Sequence, residues 1–88
     1  MKPNQLNTAS YIRIYAERTA TLATDGTAWA DIARTLDRLR NKASGQPAYV
    51  TACIAHAWQT ASTQADSTEA RAEIYADMEM LEIYLLTH

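Results

Sequence analysis

Apolar residues recur at every third or fourth position along most of this chain, the spacing that places side chains on one face of an α-helix. The segment 28–43 shows this most clearly, with charged residues on its opposite face and these apolar positions: Trp29, Ile32, Ala33, Leu36, Leu39 and Ala43. Turn residues at Gly26 and Gly45 interrupt the pattern. We therefore predict a compact all-α bundle of four helices, at about 8–24, 28–43, 47–61 and 67–86.

Polar side chains precede three of the predicted helices and are placed to accept hydrogen bonds from the free backbone amides there. The candidates are Asn7 or Thr8 for the first helix, Asp25 or Thr27 for the second, and Asp66 with Glu69 as a capping box for the fourth. The stretch 62–68 contains neither glycine nor proline. Two arrangements therefore stay open, in which helices three and four are separate or form one long bent helix.

The carboxyl-terminal helix is apolar around nearly its whole circumference. One stripe at helical spacing faces inward: Ile74, Met78, Leu81 and Leu85. Three further apolar side chains point away from that stripe: Met80, Ile83 and Leu86. A chain this short has little core with which to cover all sides of a helix. We expect a second protein, either a copy of the chain or a different target, to cover these three side chains.

Length and composition agree with helices packed closely around a thin core. The 88 residues are predicted to form one helical domain over 1–88, and a chain of this size buries only about 60–65% of its unfolded surface. Alanine supplies 17 of the 42 hydrophobic residues, whereas there is one valine and no phenylalanine. This composition favours helices over a sheet, in which β-branched and aromatic residues are enriched.

Residue types that support catalysis or cofactor binding are scarce. Cys53 is the only cysteine, and together with His56 and His88 it offers no zinc or haem spacing. Cys53 and His56 lie three residues apart, but the sequence indicates no orienting third group and no oxyanion site. With two glycines the chain has no glycine-rich phosphate loop. We predict no enzymatic activity, no metal, no cofactor and no small-molecule substrate.

The expected location is the cytoplasm. A single cysteine fits a reducing compartment, and the first eight residues are polar, unlike a secretion signal. No run reaches the roughly 20 apolar residues that cross a bilayer, because Glu79 and Glu82 interrupt the most apolar segment. We therefore expect no contact with a membrane.

Charge is divided unevenly, with +3 in residues 1–44 and −5 in residues 45–88. On helix four, carboxylates at spacings of three and four form an acidic row: Asp66, Glu69, Glu73 and Asp77. Such a row is typical of a solvated helix start, where the dipole favours acids, and it also suits binding to a basic groove. The predicted partner-binding set joins the row to apolar positions and one tyrosine: Asp66, Glu69, Glu73, Asp77, Met80, Ile83, Tyr84 and Leu86.

A smaller basic face lies on helix two and supports an alternative hypothesis. Arg34, Arg38 and Lys42 follow one another at helical spacing and form a candidate nucleic-acid contact. The segment Trp29–Leu36 resembles the first helix of a helix-turn-helix domain, which implies DNA binding. It departs from that family because the helix continues to Ala43 instead of turning sharply. Nucleic acid is accordingly not the expected partner.

The sequence favours a small non-enzymatic protein–protein interaction module, in which the acidic and apolar last helix binds a larger host protein or complex. Small acidic proteins rich in alanine and threonine resemble the inhibitors that phages and plasmids encode against host systems, including anti-CRISPR proteins. That resemblance, which lies in size and composition rather than in a motif, implies a regulator or inhibitor. The alternative is a homodimeric structural or DNA-binding regulatory protein that uses the basic face of helix two.

Overall fold

The computed structural model describes residues 7–88 and contains four helices in this range. They are α1 (Thr8–Thr24), α2 (Trp29–Lys42), α3 (Ala48–Thr63) and α4 (Thr68–Thr87). No strand occurs among the described residues, so the predicted all-α class and the four helices are confirmed. None of the helices described is both long enough and apolar enough to cross a membrane.

The four helices form a ring in which each packs against two neighbours, α1 on α2 and α4, and α3 on α2 and α4. Short loops join successive helices, so neighbours run antiparallel. The rings of Tyr49 and Tyr84, with centroids 4.6 Å apart, show this directly, because one lies at the start of α3 and the other near the end of α4. The start of α1 and the end of α2 therefore lie at the same end of the bundle.

The loops between helices follow the predicted glycine signals. Gly26 and Gly45 have φ values of 83° and 85°, a left-handed conformation in which glycine has no Cβ penalty. The loop after α3 has no glycine but is still a true break. Its backbone is extended at Gln64, with ψ 149°, and at Ser67, with φ −153°. Helices three and four are therefore separate, which decides between the two arrangements that the sequence left open.

Of the three predicted helix caps, the structure confirms one and contradicts two. Asn7 caps α1, its Oδ1 accepting from the Ser10 amide at 2.7 Å. The capping box predicted for α4 is wrong, because Ser67 is the cap and its Oγ accepts from the backbone amide of residue 70 at 3.1 Å. The side-chain cap predicted for α2 is also wrong: Asp25 instead accepts from Thr27 within the loop, and no side chain caps that helix.

The core is a single cluster with members from all four helices. Its largest fully buried side chains are Ile12, Ile32, Leu36, Leu39, Ile54, Ile74, Met78, Leu81, Val50 and Thr19. Six alanines are also buried in this cluster, in agreement with the alanine-rich composition. The sequence did not indicate two buried threonines, Thr19 and Thr60. Each is satisfied within its own helix by donating to a carbonyl one turn earlier, at 2.8 and 3.1 Å.

Arg71 ties the beginning of α4 to the loop between α1 and α2. Its Nε and Nη2 donate to the two carboxylate oxygens of Asp66 at 2.6 and 2.8 Å, and Nη2 also donates to the Thr27 carbonyl at 2.8 Å. The guanidinium lies 5.7 Å from the ring centroid of Trp29. The hydrogen bonds from Arg71 hold the pKa of Asp66 below its usual value. The α4 start is thereby joined to the start of α2.

Candidate interaction surface

The most exposed apolar side chains of the described chain lie on the last two turns of α4. Met80, Ile83 and Leu86 are 55%, 56% and 61% exposed, whereas Leu81 on the inner face is fully buried. The three exposed residues, spaced at i, i+3 and i+6, are called here the α4 surface. Their exposure confirms the expectation that one thin core leaves them uncovered, and their role in binding stays a prediction.

Acidic side chains border the α4 surface. Glu79 stands one turn before Ile83, and Glu82 stands one turn before Leu86. The Tyr75 hydroxyl donates to Glu79 Oε2 at 2.8 Å, a bond that raises the pKa of Tyr75. The only cationic side chain of α4 is that of Arg71, which is bound to Asp66 at the far end of the helix. The field around the α4 surface is therefore negative.

The acidic row has largely intramolecular partners. Asp66 binds Arg71, and Asp77 approaches His56. Glu73 accepts at 3.5 Å from two groups of α3 and the following loop, the Thr60 hydroxyl and the Gln64 amide. Only Glu69 shows no hydrogen bond or ion pair to another described side chain. Three of the four carboxylates are thus engaged within the fold, and binding of a partner by the row stays a prediction.

Tyr84 lies at the end of the bundle rather than free beside the acidic row. Its ring stacks on Tyr49 of α3, and the ring centroid of His88 lies 4.2 Å away on the other side. The residue is half-buried and packs against the core. Tyr84 therefore supports the end of α4, next to the exposed side chains, and a contact with a partner stays a prediction for it.

A second surface, opposite in charge, lies where α1 and α2 meet. A groove of about 380 Å³, called here the α1–α2 groove, is lined by Tyr11, Ile14, Tyr15, Arg18, Thr35 and Arg38. Lys42 lies beside it, with Nζ 5.4 Å from the ring centroid of Tyr11. None of the lining residues is acidic. The hydroxyl oxygens of the two tyrosines lie 3.1 Å apart, and their hydrogen bond raises the pKa of Tyr11.

The structure divides the three basic residues that the sequence singled out. Arg34 is exposed and forms an ion pair with Asp31 on its own helix. Arg38 and Lys42 form no ion pair with a described residue and belong to the groove region. Arg18 of α1 joins them from the opposite wall. The sequence analysis missed Arg18, although its helical spacing from Tyr11 and Tyr15 could have indicated a shared face.

His56 and Asp77 link α3 to α4 near the middle of the two helices. His56 Nδ1 lies 2.5 Å from Asp77 Oδ2, with the imidazole side chain 59% exposed and the carboxylate 22% exposed. The hydrogen bond to Asp77 and its negative charge raise the pKa of His56, and Glu73 adds to the effect. The imidazolium form therefore donates to the carboxylate across the helix–helix contact.

No protein-family model matches this sequence, and no curated protein or solved structure is significantly similar to it. The two surfaces are therefore the features of this chain that bear on its function. In the part of the chain described, no group of three or more His, Cys, Asp or Glu residues is placed to hold a metal ion. Burial raises the pKa of the Cys53 thiol, which lowers its thiolate fraction. The structure presents two candidate contact surfaces. The α4 surface is acidic and apolar, and the α1–α2 groove is basic and aromatic.

The His56–Asp77 pair predicts a pH dependence of stability. Because the folded-state pKa of His56 is raised, the stabilisation is complete below the unfolded pKa of about 6.5 and is lost as the pH rises through the folded value. We expect the Tm of the chain to exceed that of His56→Gln near pH 5.5 and the difference to shrink by about pH 8.5. The effect is small because solvent reaches the imidazole.

Thermal unfolding of both proteins across this range measures the effect. Both proteins contain His88, so its contribution cancels in the difference. A Tm difference that is constant with pH would contradict a charged contact between His56 and Asp77.

Proposed function

We propose that this chain is a small, non-enzymatic protein–protein interaction module that regulates or inhibits a larger protein, which it binds through the α4 surface. The observation that carries the proposal is the exposure of Met80, Ile83 and Leu86, each more than half accessible on consecutive turns of one helix. Leaving the exposed halves of three large apolar side chains in water stabilises nothing within the fold, whereas covering them releases roughly 1–1.5 kcal/mol for each, about half of the value for complete burial. Contiguous exposed apolar surface of this kind marks interaction sites.

The chemistry of the surface specifies the chemistry of the partner. A helix whose exposed face presents apolar residues at i, i+3 and i+6 fits a hydrophobic groove in a second protein. Glu79 and Glu82 border the apolar residues, so lysine or arginine at the rim of that groove would be complementary. We expect association with such a partner to slow as salt is added, because exposed charges are screened.

A two-fold homodimer through the α4 surface is disfavoured by charge. In a symmetric interface the same patch lies on both sides, so the acids beside Ile83 and Leu86 would face acids of the same kind. The single cation of α4, Arg71, is already bound to Asp66 and lies at the other end of the helix. The homodimer alternative thus has less support than a partner with a basic rim.

A charge-matched pair of variants tests the proposal. The test variant carries Met80→Glu, Ile83→Glu and Leu86→Glu. The control variant adds the same number of charges at exposed alanines of other helices, through Ala30→Glu, Ala52→Glu and Ala55→Glu. Proteins captured from host lysate by the unmodified chain are identified, purified and titrated against all three proteins by calorimetry.

We expect at least one captured protein to bind the unmodified chain and the control with similar Kd, and the test variant about 100-fold more weakly or not at all. Circular dichroism should show the same helicity in all three proteins. If every captured protein binds the test variant as well as it binds the control, the α4 surface is not the binding site. Single Ile83→Ala repeats the comparison without added charge.

A further inference from the structure

We propose that the α1–α2 groove of a second copy of this chain is one binding site for the α4 surface, so that the protein associates with itself head to tail. This inference rests on the proposed function, because it takes the α4 surface to be a docking surface. The inference goes further in naming one partner of that surface, a second copy of the same chain. The groove has the apolar and cationic chemistry required of that partner.

The groove combines apolar and cationic groups without an acid. Ile14, 48% exposed, supplies uncovered apolar surface at its edge, and the rings of Tyr11 and Tyr15 supply more. Arg18 from α1 and Arg38 from α2 stand on its two walls.

The cations of this region are not neutralised by a carboxylate of the described chain. Three of the described arginines are held by acids nearby in sequence: Arg34 by Asp31, Arg40 by Asp37, and Arg71 by Asp66. Arg18, Arg38 and Lys42 form no such pair with a described carboxylate. Three unpaired cations beside a partly apolar groove suit an acidic, amphipathic helix better than a neutral one.

The α4 surface is opposite in charge to this groove, and its charged and apolar groups are spaced over similar distances. Met80 to Leu86 extends about 9 Å along the helix axis, and Glu79 and Glu82 lie about 4.5 Å apart along it. Arg38 and Lys42, four residues apart on α2, are separated by about 6 Å along their own axis. The carboxylates of one surface and the cations of the other are thus spaced on a similar scale, which favours their pairing when α4 docks in the groove.

Because the two surfaces differ and lie on different helices, each molecule keeps one of each after pairing. Unless two copies pair reciprocally, such a heterologous contact closes into a larger ring or grows into an open chain. The contact is small and partly electrostatic, so we expect weak association that declines as salt is added.

Two surface variants and their mixture test this arrangement. The α4 variant is the triple glutamate form described above, and the groove variant carries Arg18→Glu and Arg38→Glu. Sedimentation velocity is run from about 10 µM to about 1 mM, a range in which weak association is visible, at low salt. The unmodified chain and the Ala30→Glu, Ala52→Glu, Ala55→Glu control should increase in average mass beyond a dimer as concentration rises.

Each surface variant alone should remain a monomer, since it has lost one of the two complementary surfaces. An equimolar mixture of the two variants should form a heterodimer and nothing larger, because only one α4 surface and one groove remain intact. A symmetric interface made by the α4 surface alone, or by the groove alone, does not give this pattern. Circular dichroism of each variant confirms that it is folded, and Leu86→Ser with Ile83→Ser replaces the glutamates if it is not.

Three results would overturn the inference. The first is an unmodified chain that stays a monomer at all concentrations. This result would exclude self-association but would not contradict the proposed function, which the capture experiment tests separately. The second is a groove variant that associates as well as the unmodified chain, which points to a symmetric contact. The third is a labelled single-stranded oligonucleotide at about 50 mM salt that binds the monomeric chain and not the groove variant, which makes nucleic acid the occupant of the groove.

Discussion

Replacing Leu81 by alanine is expected to lower the free energy of unfolding by about 2–5 kcal/mol. Leu81 is fully buried on the inner face of α4 and belongs to the single core cluster. Truncation removes its apolar contacts and leaves a cavity that the surrounding helices fill only partly. A domain of this size has a total stability on the order of 5–10 kcal/mol, so the variant should lose a large part of it. Its Tm should fall by roughly 10 °C or more.

The matched control is Leu86→Ala, the same substitution five residues further along the same helix. Leu86 is 61% exposed, so its replacement should change stability by no more than about 0.5 kcal/mol. Urea unfolding followed by circular dichroism measures both. The comparison separates burial from helix propensity, because the residue types and the helix are identical. Equal losses in the two variants would mean that Leu86 is covered in solution and that the α4 surface is part of the core.

The four helices were predictable because their signals are local. A repeating apolar stripe and a left-handed glycine after a helix depend on neighbouring residues alone, and α1, α2 and their loop follow these signals. The start of α4 was harder. Asp66 and Ser67 are both good caps, and the choice between them depends on Arg71, which draws the Asp66 carboxylate away from the helix amides.

The two candidate surfaces differ in how far the sequence reveals them. The α4 surface is a pattern on one helix, so its exposure followed from periodicity and from the thinness of the core. The α1–α2 groove depends on the register between two helices, which brings Arg18 beside Arg38, twenty positions later in the chain. The register between α3 and α4 also determines the partners of the acidic row, because it places Asp77 next to His56 of α3. No spacing within α4 indicates that contact.

Gly45→Ala is expected to destabilise the fold by about 1–2 kcal/mol, the cost of a left-handed conformation in a residue with a Cβ. Gly45 has a φ of 85°, and a Cβ built at this position meets no atom within 4 Å. The loss therefore comes from the backbone conformation and not from a clash.

Asparagine tolerates the left-handed region better than alanine does, so Gly45→Asn should recover part of the lost stability. Urea unfolding of the two variants beside the unmodified chain measures the difference. If a contact in the α2–α3 loop were responsible instead, the larger asparagine side chain would be the more destabilising of the two. The order of the two stabilities thus distinguishes strain in the chain from crowding around it.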